Sequence, residues 1–173
     1  MGRQAIIKHP NWNMGEYYGS EVPRHGLSLA RMIGHITYLS EKKMHEKFGR
    51  KLQDKDELGF VLDQEFQVES YLRYQGYKFV ERFDANTYLY LTRAMDYFDV
   101  RLDHGDGNIR DAFEKSSCHY LMVSFSSDWL YPSDKMREMV NALRSCGRKV
   151  VYMDIDTDSG HDSFLLPEPA LEQ

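Results

Sequence analysis

A strand-helix-strand pattern between residues 120 and 155 constrains the fold of this 173-residue chain more than any other feature. Residues 120–125 and 150–155 form two short apolar runs, and the intervening segment contains a helical stretch that begins after Pro132 and ends at Gly147. Strands that are apolar on both faces are typical of parallel sheets with helices on both sides. Two such strands are too few for a complete sheet. The pattern therefore predicts an α/β fold, present as part of a larger domain.

The residues before this pattern are predicted to be helical. Apolar side chains recur three and four residues apart between Leu29 and Leu39, as in an amphipathic helix, and Ser40 is a predicted N-cap for the next helix. Further helices are predicted over residues 66–75, 84–98 and 109–115, with Asp84 or Asn86 and then Asn108 as caps. Gly76 is predicted to end the helix that precedes it, and loops are predicted over residues 50–59 and 103–108.

These patterns divide the chain near Ser116 into two parts, a helical part and a part that contains the strand-helix-strand pattern.

Composition excludes several classes of protein. The chain has 22 Lys and Arg against 27 Asp and Glu, a net charge of −5, and no basic run, so no nucleic-acid partner is expected. No apolar stretch approaches the roughly 18 residues that span a bilayer, so no membrane partner is expected either. Two cysteines are too few for a disulfide scaffold, which favours a cytoplasmic location.

Polar residues follow both predicted strands, at the edge where doubly wound sheets bind ligands. Asp128 comes shortly after the first strand, and His161 lies in the segment after the second. Because adjacent parallel strands end at the same edge, these two side chains are expected to lie close together. A carboxylate that orients a histidine supports a nucleophile in catalytic triads, and the order acid then histidine is that of the α/β-hydrolases. From spacing alone the alternative stays open that Asp128 caps a turn and His161 is an ordinary loop residue.

Five segments of the sequence resemble the homoserine O-acetyltransferase family. They are 23–41 (PRHGLSLARMIGHITYLSE), 69–76 (ESYLRYQG), 78–86 (KFVERFDAN), 126–132 (SSDWLYP) and 160–165 (GHDSFL). The resemblance extends from Arg3 to about Leu166. It implies an α/β-hydrolase core with a helical lid: residues 1–14 end a core helix and lead into the lid, residues 15–115 form the lid, and residues 116–173 form the C-terminal strand-helix-strand part of the core. It also implies transfer of acetyl from acetyl-CoA to the hydroxyl of homoserine in methionine biosynthesis. Acetyl-CoA is then a co-substrate, and no cofactor is implied.

The same resemblance implies roles for individual residues. Asp128 and His161 become the triad acid and base, and Arg31, Tyr38 and Asp162 become the groups that hold the amino acid. Arg31 would bind the carboxylate of the amino acid, and Asp162 would bind its ammonium group. This agrees with charge, since a zwitterion needs one cation and one anion, and a planar guanidinium pairs bidentately with a carboxylate.

The nucleophile of such a reaction is not found in the sequence. A Gly-x-Ser-x-Gly turn does not occur, and Ser124, Ser126 and Ser127 lack flanking glycines. The chain is interpreted as a lid plus the last two core strands, without the nucleophile-bearing half, and is expected to be inactive alone. A separate upstream segment would then be a partner. Two alternatives stay open: an O-acyltransferase that uses succinyl-CoA or serine, and a non-catalytic remnant that serves as a dimerisation module.

Two further patterns in the sequence concern metal binding and self-association. Asp154, Asp156 and Asp158 imitate a calcium loop, but Gly160 falls one position late and Leu165 replaces the bidentate Glu, so no metal site is predicted. Tyr and Phe side chains between residues 71 and 98 are predicted to form lid core or a homodimer surface, with a pocket wall as the alternative. Because they exceed what a small helical layer can bury, self-association is expected. The resemblance also implies a homodimer formed through the lid.

Overall fold

The computed structural model describes residues 1–167 and Leu171. The helices, numbered in chain order, are α1 (Gly2–Ile7), α2 (Arg24–Tyr38), α3 (Glu41–Lys47), α4 (Gln67–Val80), α5 (Ala85–Tyr97), α6 (Val100–His104), α7 (Ile109–Glu114) and α8 (Ser133–Ser145). The strands are β1 (Tyr120–Phe125) and β2 (Val150–Ile155), and two short 3-10 helices cover Pro10–Gly15 and His161–Leu165. No helix in this described part of the chain is both long and apolar enough to cross a membrane.

The two strands pair in parallel, as predicted. Their register aligns Tyr120 with Val150 and continues to the pair Phe125 and Ile155. Helix α8 connects them, and its buried side chains Val140 and Leu143 lie on its apolar side. The predicted α/β fold class is therefore confirmed.

The chain forms two compact units. One contains residues 1–37 and 44–93, and the other contains residues 38–43 and 94–173. The strands, α8 and the segment that carries His161 all belong to the second unit. The domain boundaries predicted at residues 14 and 115 stay predictions.

The first unit has a small apolar core. Its buried side chains come from α1, the segment before α2, and helices α2, α4 and α5: Ile6, Tyr17, Leu27, Ala30, Phe79 and Ala85. A polar network borders this core, in which Asp84 accepts hydrogen bonds from the Tyr17 hydroxyl and from the amide of Thr87 at 2.7 Å. Burial alone would raise the pKa of Asp84, but these hydrogen bonds outweigh it and hold that pKa below its ordinary value.

Gly76 does not end a helix, and that prediction was wrong. Helix α4 passes through it and continues to Val80. A β-carbon at position 76 would lie 2.9 Å from the carbonyl oxygen of Ser28 and 3.2 Å from a side-chain carbon of Met32, both on α2. The glycine therefore allows close contact between two helices, which sequence position alone does not distinguish from a helix stop.

The predicted helix caps are confirmed. The Ser40 hydroxyl accepts from the Lys43 amide at 3.0 Å, the Asp84 carboxylate accepts from Thr87, and the Asn108 side chain accepts from the Arg110 amide at 2.9 Å. Each bond satisfies an amide that has no partner within its own helix.

Two predicted loops contain more structure than expected. Asp103 and His104 belong to α6, whose start is capped by the Asp99 carboxylate. Within the other loop, Leu52 pairs with Phe66 in an antiparallel bridge. The Glu65 carboxylate accepts from Lys55 at 2.5 Å and from the Gly59 amide at 2.6 Å, and these two bonds lower its pKa. Apart from the Asp99 cap, these contacts join residues six or more positions apart, which hydrophobic periodicity does not reveal.

Candidate active site

Asp128 is held by the turn that follows β1. Its side chain is buried, with 6% of the residue exposed. One carboxylate oxygen, Oδ1, accepts hydrogen bonds from the amides of Leu130 at 2.9 Å and Tyr131 at 3.1 Å. The turn therefore fixes the orientation of the carboxylate and leaves its second oxygen available for another donor.

That donor is His161. Its Nδ1 lies 2.8 Å from Oδ2 of Asp128. Since an ionised carboxylate only accepts hydrogen bonds, this contact requires the proton on Nδ1, which leaves Nε2 of a neutral imidazole as an acceptor. One oxygen of Asp128 thus caps the turn and the other pairs with the histidine, while the catalytic roles implied for the two residues stay predictions.

Aromatic rings surround the imidazole. The ring centres of Tyr131, Phe164 and Tyr38 lie 5.2, 5.7 and 5.7 Å from that of His161. A pocket of about 420 Å³ adjoins the pair and is lined partly by Val123, Phe125, Met136 and Leu171. The histidine thus lies between apolar walls, where hydrogen bonds and charges are less screened than in water.

The three serines near the end of β1 are engaged elsewhere. Ser124 bonds to the Tyr152 hydroxyl at 2.7 Å and to Asp154 at 2.8 Å. Ser126 donates to Asp156 at 2.7 Å, and Ser127 accepts from the Gly160 amide at 2.9 Å. None of these hydroxyls bonds to His161 in the described part of the chain, so none is arranged as the partner of a catalytic base.

The three predicted substrate-binding residues differ in their surroundings. Tyr38, the last residue of α2, lies beside His161, and Asp162 follows His161 directly. Within residues 1–167 and Leu171, the half-buried Asp162 carboxylate makes no hydrogen bond or ion pair. Arg31 lies in the first unit, with its guanidinium carbon 5.0 Å from the ring centre of Phe79.

The three carboxylates of the calcium-like pattern contact different groups. Asp154 bonds to Ser124, Ser133 and Arg137, Asp156 to Ser126, and Asp158 to Lys42. The hydrogen bond from the Ser133 hydroxyl is the largest cause that holds the pKa of Asp154 below its ordinary value, and the Ser124 hydroxyl and the Arg137 charge lower it further. Over the described residues, no group of three or more His, Cys, Asp or Glu side chains is arranged to hold a metal ion.

The sequence did not predict two contacts that hold the His161 segment. Gly160 has φ +80° and ψ −154°, and its amide donates to Ser127. The Ser40 hydroxyl donates to the carbonyl of Asp158. A glycine directly before a candidate histidine was the one available signal for the first contact, because such a φ angle favours glycine. The second joins residues 118 positions apart and left no pattern in the sequence.

Solved structures show the class of fold. The structure of homoserine O-acetyltransferase from Bacillus anthracis matches with a TM-score of 0.80 and 25% identity, over 94% of this chain and 42% of that one. Esterase E22 matches with a TM-score of 0.79 and 20% identity, over 98% of this chain and 46% of its own. The chain has part of the α/β-hydrolase fold, and the Asp128–His161 pair lies where its two strands end. No family model matches the sequence.

Curated protein sequences show similarity to one family among the proteins with this fold. The homoserine O-acetyltransferase of Solidesulfovibrio magneticus is 55% identical over 172 residues, which are 99% of this chain and 43% of that protein. That of Mesorhizobium japonicum is 53% identical over 99% of this chain and 44% of its own length. The chain is a homologue of part of the homoserine O-acetyltransferases, and it spans less than half the length of these relatives.

Proposed function

We propose that this chain supplies the acid and base of an acetyl transfer from acetyl-CoA to the hydroxyl of L-homoserine, as one part of a serine-dependent acyltransferase. The observation that carries the proposal is the 2.8 Å contact between Nδ1 of His161 and Asp128. The 55% identity to proteins named for this reaction supports the choice of substrates.

In the proposed mechanism His161 moves protons at Nε2. In the first half, Nε2 takes the proton of a serine hydroxyl while the serine oxygen attacks the thioester carbonyl, and the released CoA thiolate takes that proton. In the second half, Nε2 takes the proton of the homoserine hydroxyl, which attacks the acetyl-serine ester, and returns it to the serine oxygen. Asp128 keeps the imidazole in the required tautomer and stabilises the imidazolium that forms in each half.

The serine is proposed to lie outside these 173 residues. The hydroxyls of Ser124, Ser126 and Ser127 are bonded to groups other than His161, and the sequence has no Gly-x-Ser-x-Gly turn. The relatives are more than twice the length that this chain spans, so a partner segment of the same enzyme can carry both the serine and the oxyanion-binding amides.

Three residues are proposed to hold homoserine. Asp162 would bind the ammonium group, since its carboxylate follows the catalytic histidine directly and makes no bond within the described residues. Arg31 would bind the carboxylate, and its contact with the Phe79 ring limits the orientations of the guanidinium. Tyr38, whose ring centre lies 5.7 Å from that of His161, would contribute its hydroxyl.

We also propose a homodimer formed through helix α5. The side chains of Tyr90, Leu91, Met95 and Tyr97 on this helix are exposed in the isolated chain. Contiguous exposed apolar side chains are typical of protein interfaces. A cytoplasmic location is proposed too, and the free thiols of Cys118 and Cys146 support it.

A thioester assay with acetyl-CoA and homoserine tests the proposed activity. The chain is measured alone and together with a co-expressed segment of the Solidesulfovibrio magneticus relative, taken from the part of that protein that this chain does not match. We expect no turnover from the chain alone, because general-base assistance gives only about 10²- to 10⁴-fold acceleration. The combined chains should be active, and His161→Ala should abolish that activity.

The assay also separates the alternatives. Turnover with succinyl-CoA in place of acetyl-CoA, or with serine in place of homoserine, would identify a different acyl donor or acceptor. The proposed mechanism would then stay the same. Robust acetylation by the chain alone would contradict the placement of the nucleophile. Combined chains that associate but remain inactive with every substrate would favour a non-catalytic dimerisation module.

A further inference from the structure

We propose that Ser127 is a positioning residue that holds the His161 segment in register with Asp128. The inference rests on the proposed function, since it concerns the same acid–base pair. It assigns a task to a hydroxyl that lies in the candidate site and is not used as a nucleophile.

Two parallel contacts connect the segments that follow β1 and β2. Asp128 pairs with His161 at 2.8 Å, and the residues directly before them, Ser127 and Gly160, are joined by a hydrogen bond of 2.9 Å from the Gly160 amide to the Ser127 hydroxyl. Because the Ser127–Gly160 bond lies directly beside the Asp128–His161 contact, the two together restrict both the separation of the segments and their rotation relative to each other. The acid–base contact therefore depends on more than its own two side chains.

Ser126 strengthens the same connection one residue earlier. Its hydroxyl donates to Asp156 at 2.7 Å and accepts from the Thr157 amide at 3.0 Å. Ser126 is exposed, whereas Ser127 is half-buried and bonds directly beside the histidine. Of the two serines, Ser127 is thus the one whose loss should affect His161 most.

The hydroxyl of Ser127 also satisfies an amide in an unusual backbone conformation. With φ at +80° and ψ at −154°, Gly160 directs its N–H toward the other segment, and not into a helix or strand. The Gly160 carbonyl accepts from the Ser163 hydroxyl at 2.5 Å. Removal of the Ser127 hydroxyl would leave the amide without its acceptor, so the segment would be free to relax away from Asp128.

The test observes the imidazole proton directly and needs no enzymatic turnover. A histidine Nδ1–H bonded to a carboxylate gives a downfield proton resonance, which is recorded for the whole chain together with its exchange rate with water. We expect this exchange to be roughly five- to tenfold faster in Ser127→Ala, because one hydrogen bond that keeps the segment closed is lost. Ser127→Thr retains a hydroxyl and should behave as the original chain does.

Matched variants make the result specific. Ser145→Ala removes a hydroxyl that donates to the Ala142 carbonyl at 2.7 Å within α8 of the same unit, and it should leave the resonance unchanged. Should Ser127→Ala fail to fold, Ser127→Cys, which has a similar shape and accepts hydrogen bonds more weakly, gives the same comparison. Equal exchange rates in the original chain and in the Ser127 variant would overturn the positioning role.

A variant of Asp128 distinguishes this failure from failure of the proposed function. Asp128→Asn should remove the downfield resonance, since the carboxylate acceptor is lost. A resonance that persists in Asp128→Asn, or that is absent from the original chain, would contradict the acid–base pair itself. Loss of the resonance in Asp128→Asn combined with no effect of Ser127→Ala would contradict only the role of Ser127.

Discussion

The backbone of Gly160 lies so close to that of Ser40 that a β-carbon on Gly160 would be 2.5 Å from the Ser40 amide nitrogen. The carbonyl oxygen of Tyr38 would be 2.8 Å away. Backbone atoms cannot move aside as a flexible side chain can, so any side chain at position 160 must displace the segment that carries His161. The structure therefore requires glycine here both for its φ angle and for space.

The first prediction follows from this contact. Gly160→Ala should lower the free energy of unfolding by about 2–4 kcal/mol, since it adds backbone strain and a steric clash. Chemical denaturation of the chain measures this loss. Gly147→Ala is the matched control in the same unit, because Gly147 has φ +68° but nothing within 4 Å of a β-carbon. A loss in Gly160→Ala no larger than that in Gly147→Ala would show that the contact with residues 38–40 does not matter.

A second prediction separates the two tasks of Asp128. In Asp128→Asn the side-chain oxygen can still accept from Leu130 and Tyr131, so stability should change little, while the tautomer of His161 is no longer enforced. Activity of the combined chains should fall by about 10³- to 10⁴-fold. Asp128→Ala should lose the same activity and, in addition, about 1 kcal/mol of stability from the turn.

Denaturation curves and rates of the two Asp128 variants provide the check. Equal stabilities in Asp128→Asn and Asp128→Ala would show that Oδ1 does not stabilise the turn. Full activity in Asp128→Asn would remove Asp128 from the mechanism.

Structural features that depend on residues close to one another in the sequence were predicted. The parallel pair β1 and β2 and the caps Ser40 and Asn108 depend on local periodicity and on single side chains, and all were predicted. The approach of Asp128 to His161 followed from one topological rule, that parallel neighbours end at the same edge of the sheet.

Features that depend on contact between distant segments were not predicted. Gly76 has the same sequence context as a helix stop, and only the position of Ser28 on another helix shows that it allows close packing. The Ser127–Gly160 bond and the Ser40–Asp158 bond have no periodic signature either. Short polar contacts of this kind are decided by tertiary structure, so they become visible only with coordinates.

The third prediction concerns the contact at Gly76. In an exposed helix interior, Gly→Ala stabilises by about 1 kcal/mol, but here the new β-carbon would meet the Ser28 carbonyl at 2.9 Å. Gly76→Ala should therefore destabilise the chain by about 1–3 kcal/mol. The double variant with Ser28→Ala should recover part of this loss, because it removes the Ser28 hydroxyl that a β-carbon at position 76 would contact. A stabilised Gly76→Ala would contradict the close helix contact.

The fourth prediction tests the proposed dimer surface on α5. Leu91 and Met95 are four residues apart and so lie on one face of the helix, and both are exposed. A glutamate at both positions would bury two charges in an apolar interface, so Leu91→Glu/Met95→Glu should be monomeric by light scattering at micromolar concentration. Leu62→Glu is the control, since Leu62 is fully exposed and lies outside α5. A monomeric original chain, or a dimer unaffected by the α5 substitutions, would contradict the proposal.

The fifth prediction concerns pH and the buried His35. Burial, with a smaller effect of the Arg31 and Lys47 charges, lowers its pKa from 6.5 to about 4, so the folded state keeps it neutral. Above pH 6.5 this contribution to stability is complete. Between pH 6.5 and 4 the unfolded chain binds a proton that the folded chain does not, so about 2–3 kcal/mol should be lost. His35→Gln should flatten this part of the stability curve, whereas substitution of the exposed His25 by Gln should leave it unchanged; parallel curves for His35→Gln and the original chain would rule out His35 as the titrating group.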